Sequence, residues 1–145
     1  MAKELYTAEA HVTGGRVAGH GRTSDGALEV DLRTPPEMGG EGGGTNPEQL
    51  FAVGYAACFE GALAAVARRE KLEAGDVGID STVTLITAED RSFSIAVELR
   101  VTLPSVADEE AVELVRAAHR VCPYSNATRG NIDVALSANG VAVDA

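Results

Sequence analysis

The chain has 145 residues, 45% of them hydrophobic and 23% charged, a balance that fits a soluble globular protein and one domain over residues 1–145. Aromatic residues make up only 4% and tryptophan is absent, so the core must be built from small and aliphatic side chains. A net charge of −10 argues against nucleic acid and anionic membranes as partners, because their phosphates repel such a surface.

The opening "MAKELYTAEA" has no apolar stretch of the kind a secretion signal needs. Together with only two cysteines, it leads to the expectation of a reducing, cytoplasmic setting without a permanent disulfide. "LYTAEAHV", "RVAGHGR" and "ALEVDL" read as three strands, separated by a "TGG" turn and an "SDG" turn. "RTPPEMGGEGGGT", residues 33–45, carries two prolines and five glycines and must be a loop.

The helix that follows opens on "NPEQLF". Asn46 suits the N-cap, Pro47 the first helical position, and Gln49 completes a capping-box spacing. Residues 50–67 approach transmembrane length, but Glu60, two glycines and many alanines point to a helix buried inside a protein or a dimer. Residues 77–87 and 92–103 form a hairpin around "AEDR". In the second strand Phe93, Ile95, Val97, Leu99, Val101 and Leu103 alternate without a break, so one face is buried. "DEEAVELVRAAHRV" is a helix with acids in its first turn and His119 and Arg120 in its last, stopped by Pro123. "NIDVALS" closes the chain as a strand. The order β-β-β-α-β-β-α-β implies a mostly antiparallel α+β fold. Because the first helix is apolar on every side, a second copy of the chain is expected to cover it, making an obligate homodimer.

Cys58, in the middle of that helix, reads from composition as a small core hydrophobe; Cys122 lies at a helix end before polar "YSNATRGN", where a side chain can be reached. Two cysteines and three histidines without close ligand spacing do not make a metal site. "CPYS" is similar to the glutaredoxin-type C-P-Y-C, but that motif begins a helix whereas this one follows one, and Ser125 replaces the second thiol. Burial silences a thiol unless a fixed positive charge favours the thiolate. Arg16 is a candidate for that charge, and Glu48 for the carboxylate that orients it. On these grounds alone, a solvated strand arginine and a dipole-favoured first-turn glutamate describe the two residues better.

"TGGR", "GGEGGGTNPEQLFAVGYAACF" and "AHRVCPYSNATRGNIDV" together resemble the organic hydroperoxide resistance (Ohr) branch of the Ohr/OsmC family, across essentially the whole chain. The resemblance implies the OsmC/Ohr-like α+β fold, with mostly antiparallel sheets around a long apolar central helix in an intertwined homodimer. It implies a bacterial thiol peroxidase that reduces alkyl and fatty-acid hydroperoxides to alcohols, with Cys58 peroxidatic, Cys122 resolving, and Arg16 and Glu48 the active-site ion pair. The reductant it implies is a lipoylated protein or other dithiol, and the cycle needs no metal, flavin or haem. Leu50, Phe51, Tyr55 and Phe59 are the candidates for an apolar substrate pocket. Glu48 and Cys58 are ten residues apart, about 15 Å along a helix, so Glu48, and with it Arg16, is expected to serve the partner subunit's cysteine. The alternatives are an OsmC-like peroxidase of broader peroxide range and a non-catalytic apolar-ligand binding dimer.

Overall fold

A computed structural model describes residues 2–145, in two compact units that divide between Leu50 and Phe51. The first unit is an antiparallel meander of β1 (Ala10–Thr13), β2 (Ala18–Thr23) and β3 (Glu29–Arg33). The expected first strand over "LYTAEAHV" is shorter than its sequence pattern, because it begins only at Ala10. Its partner β2 runs out at Thr23, opposite Ala10, and the pairing tails off with the Ser24 N–H donating to the Glu9 carbonyl at 2.9 Å. The β1–β2 turn passes through Gly14 at φ 77°, where a Cβ would lie 2.4 Å from the Ala18 carbonyl oxygen, so only glycine fits. After β3 the proline- and glycine-rich loop contains one 3-10 turn, Pro36–Met38.

Helix α1 (Pro47–Arg69) starts where its signals place it. Asn46 Oδ1 accepts the Gln49 backbone N–H at 2.9 Å. The expected capping box is not closed, however: Gln49 Oε1 instead accepts the Thr45 hydroxyl at 2.8 Å.

The second unit carries most of α1, a four-stranded sheet and two more helices. The sheet order is β4 (Gly78–Thr87), β5 (Phe93–Thr102), β6 (Val134–Ala138) and β7 (Val141–Val143). β5 and β6 run parallel and the other neighbours antiparallel. The alternating face of β5 is buried at Val97, Leu99, Val101 and Leu103, but Phe93 at its start is 69% exposed, because the helices cover only the other end of the strand pair. Strand β7 was not expected from "NIDVALS" alone. It is built by Asn139-Gly140, both at positive φ, a two-residue hairpin loop of the type whose twist suits antiparallel strands.

Helix α2 (Asp108–Val121) ends as expected, but Pro123 does not end helical structure. It occupies the first position of a further short helix, α3 (Pro123–Thr128), where its missing N–H costs nothing. One core joins Tyr55, Phe59, Leu63 and Val66 of α1 to Leu114, Val115, Ala118 and Cys122 at the α2 end, and to the β5 and β6 faces. These α1 residues recur every three or four positions, a single inward stripe. Only 33% of the most apolar stretch of α1 is buried, and Val53 within α1 is 72% exposed.

Candidate active site

In the first unit the Arg16 guanidinium grips Glu48 with both prongs. Its Nη1 donates to Oε2 at 3.1 Å and its Nη2 to Oε1 at 2.9 Å. The glycine turn sets Arg16 in place just before β2, and the first turn of α1 presents Glu48. A fork-to-carboxylate pair of this kind fixes both the position and the plane of the guanidinium. The Arg16 hydrogen bonds hold the Glu48 carboxyl below its ordinary range, and Glu48 in turn raises Arg16 above its own. The pair predicted from the sequence is therefore formed, and both members are charged at neutral pH.

In the second unit the two cysteines meet. Cys122 Sγ lies 3.7 Å from Cys58 Sγ, and both are free thiols. Their exposures are the reverse of the sequence expectation. Cys58 is partly open, whereas Cys122, expected in a reachable position, is completely buried. The reason is α3: Pro123 turns the chain straight from α2 into another helix, and Cys122 is the joint between the two, the C-cap of one and the N-cap of the next. "CPYS" thus does begin a helix, against expectation, with Ser125 buried in the place of a second thiol.

Burial pushes the Cys58 thiol up from its ordinary value, only partly offset by the Tyr124 backbone amide, which favours the thiolate; the adjoining Cys122 thiol raises it further. A cation beside Cys58 would oppose that shift and favour the thiolate.

Phe51, Tyr55 and Tyr124 surround this region as an aromatic triple with ring centroids 5.7–5.8 Å apart. Gly54 permits it: a Cβ there would meet the Tyr124 hydroxyl oxygen at 3.3 Å. Of the four expected pocket residues, Leu50 and Phe51 are partly exposed, while Tyr55 and Phe59 are fully buried core. Tyr124, not singled out from the sequence, is 39% exposed beside them. Among the described residues no group of three or more histidine, cysteine, aspartate or glutamate side chains is placed to hold a metal ion.

The profile of the OsmC-like protein family matches residues 40–137, which include both cysteines. The chain belongs to the Ohr/OsmC family. It is 58% identical over 137 residues to the organic hydroperoxide resistance protein of Xanthomonas axonopodis pv. citri, covering 93% of this chain and 95% of that one. Among solved structures, an organic hydroperoxide resistance protein OsmC from Legionella pneumophila is 51% identical with a TM-score of 0.90, covering 94% of this chain and 98% of its own. OhrB of Bacillus subtilis superposes with a TM-score of 0.84 at 48% identity, covering 93% and 99%. The α+β architecture expected from the sequence is the architecture of these proteins.

Proposed function

We propose that this chain is a cysteine-based peroxidase that protects against organic hydroperoxides by reducing them to alcohols. The observation that carries the reading is the 3.7 Å approach of two free thiols, one partly open and one buried. The Cys58 thiolate attacks the outer peroxide oxygen; an S–O bond forms, the O–O bond breaks, and the alkoxide leaves with a proton as alcohol. Cys122 then attacks the sulfur of the Cys58 sulfenic acid. The S–S bond forms, the S–O bond breaks, and hydroxide departs with the Cys122 proton as water. A dithiol such as a lipoylated protein restores both thiols by exchange.

Arg16 and Glu48 complete the site from a second subunit. Support comes from α1, uninterrupted from Pro47 to Arg69, on which Glu48 and Cys58 lie ten residues and about 15 Å apart. The sparsely buried apolar stretch of α1 supports the homodimer this requires. In that dimer Arg16 supplies a cation that favours the Cys58 thiolate and polarises the peroxide, while Glu48 orients Arg16. Phe51 and Tyr124 offer apolar surface beside Cys58, so an alkyl or fatty-acyl peroxide gains burial energy that hydrogen peroxide does not. The whole chain, residues 1–145, works as one such domain in the cytoplasm.

The test is steady-state turnover with a dihydrolipoyl reductant, comparing cumene hydroperoxide with hydrogen peroxide. The reading expects kcat/KM for the organic peroxide to be higher by a factor of at least one hundred. Equal rates would point to broader peroxide range, and no turnover of either peroxide would leave a binding protein.

A further inference from the structure

The peroxidase reading leaves unexplained why a cluster of polar groups is buried directly behind the cysteines. Tyr55 and Ser125 have no exposed surface, and His119 and Thr128 are 5% and 8% exposed. The Tyr55 and Ser125 hydroxyls are 2.8 Å apart, Ser125 Oγ lies 2.9 Å from His119 Nδ1, and Tyr55 Oη lies 3.2 Å from Thr128 Oγ1. The proton order follows from the outer end. The Thr128 hydroxyl donates to the Tyr124 carbonyl at 2.9 Å, so Tyr55 donates to Thr128, Ser125 to Tyr55, and His119 Nδ1–H to Ser125.

The placement of these groups is regular. Tyr55 is three residues before Cys58, His119 three before Cys122, and Ser125 three after Cys122. On a helix that spacing is about one turn, so Tyr55 shares a face with Cys58. The Ser125 hydroxyl thus joins α1, α2 and α3 one turn away from the thiols. Opposite offsets along α1 and α3 are those of two antiparallel segments pinned at neighbouring points, once by hydroxyls and once by sulfurs.

From this geometry, and resting on the peroxidase reading, we infer that Tyr55, Ser125 and His119 are positioning residues that hold Cys122 against Cys58 for disulfide formation. None of them touches the reacting sulfurs in this structure. They act by fixing the helices that carry them. A bonded S–S pair is about 2.05 Å long, so closing the 3.7 Å gap takes a side-chain adjustment while the three helices stay where the buried bonds hold them. Loosening the clamp lowers the effective concentration of one thiol at the other.

The test compares the wild type with Tyr55→Phe, Ser125→Ala and the double variant, each keeping almost the whole buried volume. Val143→Ala, a core change in β7 that leaves the clamp's hydrogen bonds in place, controls for general destabilisation. The first readout is the Cys58–Cys122 equilibrium in dithiothreitol buffers. The clamp predicts a shift of about tenfold toward the dithiol in either single variant, the equivalent of one buried hydrogen bond and about 30 mV in potential. The double variant should shift by less than the sum of the singles, because both lose the Tyr55–Ser125 bond. The second readout is single turnover with a hydroperoxide and a 1,3-diketone that traps sulfenic acids. Trapping should rise in both variants while the initial loss of the Cys58 thiol keeps its rate. An unchanged equilibrium in Tyr55→Phe and Ser125→Ala, or an equal shift in Val143→Ala, would overturn the inference. If the wild type ignores hydroperoxide while the dithiothreitol equilibria still shift, the peroxidase reading falls and the clamp stands.

Discussion

Cys58 and Cys122 are 64 positions apart in the chain and 3.7 Å apart at sulfur, and the α2–α3 joint at Pro123 is what brings them together. Had α2 simply ended at Val121, Cys122 would sit on an exposed loop. Instead it is sealed behind Cys58, so a reagent in solvent meets Cys58 first.

Linking the two thiols should stabilise the protein. A bridge closing a loop of 64 residues removes unfolded-state freedom worth roughly 4 kcal/mol at room temperature in the chain-entropy view. The oxidised protein is therefore expected to unfold at a clearly higher urea concentration than the reduced one, measured by circular dichroism under matched conditions. Equal midpoints would mean that the bridge forms only with strain elsewhere.

The Arg16–Glu48 pair makes a different prediction. Glu48→Gln keeps the Arg16 charge but loses the carboxylate that orients it, and Arg16→Lys keeps a charge but loses the fork. Each is expected to slow the reaction of Cys58 with an organic hydroperoxide by about ten- to a hundredfold, the equivalent of one hydrogen bond to a charged group. Stopped-flow thiol loss measures it directly. Because Arg16 lowers the Glu48 pKa below its usual 4.5, the pair is intact at neutral pH and is lost only as the pH falls below that ordinary value, through the depressed one.

Mixing subunits tests whether the pair serves the other chain. Arg16→Ala and Cys58→Ser homodimers should both be inactive. Unfolding and refolding them together should give heterodimers in which one wild-type Arg16 faces one wild-type Cys58, restoring up to about a quarter of wild-type activity for random pairing in a dimer. A mixture as inactive as its parents would place both functions in one chain. Val53→Asp, on the exposed apolar side of α1, should give a monomer by sedimentation, without turnover.

His119 gives the protein a pH-dependent stability. Burial, and then the Arg129 charge, push its pKa below the ordinary 6.5. As the pH falls through 6.5 the unfolded chain takes up the proton first, so stability drops from there until the pH passes the depressed folded value. His20 has the opposite sign: Asp31 and then Glu29 raise its pKa, favouring the folded state at low pH. The clean observable is thus the difference between wild type and His119→Asn, which keeps a donor near the Nδ1 position. Urea midpoints between pH 5 and 7.5 should fall with pH less steeply in the variant.

Local rules made much of this legible in advance. The Asn46-Pro47 start, the Glu48 position and the β4–β5 hairpin all follow from residues adjacent in sequence. What escaped was decided by contacts distant in sequence. Phe93 continues a perfect alternation yet stays exposed, because alternation says which face a residue takes and not how far the covering helices reach. Pro123 after a helix signals a stop, yet proline equally suits the first position of a helix, and here it begins α3. Ser125 and Tyr55 carry no signal of a partnership 70 residues apart. β7, by contrast, has a local signal in Asn139-Gly140, a pair suited to a two-residue hairpin loop.

The most direct measurement of the central claim is the stoichiometry of one turnover. Anaerobically reduced protein is mixed with one equivalent of cumene hydroperoxide, and the alcohol formed and free thiols remaining are counted. One alcohol per chain, with loss of both thiols into a bond joining Cys58 and Cys122, is the result the peroxidase reading predicts. Recovery of the intact hydroperoxide beside two unreacted thiols would contradict it.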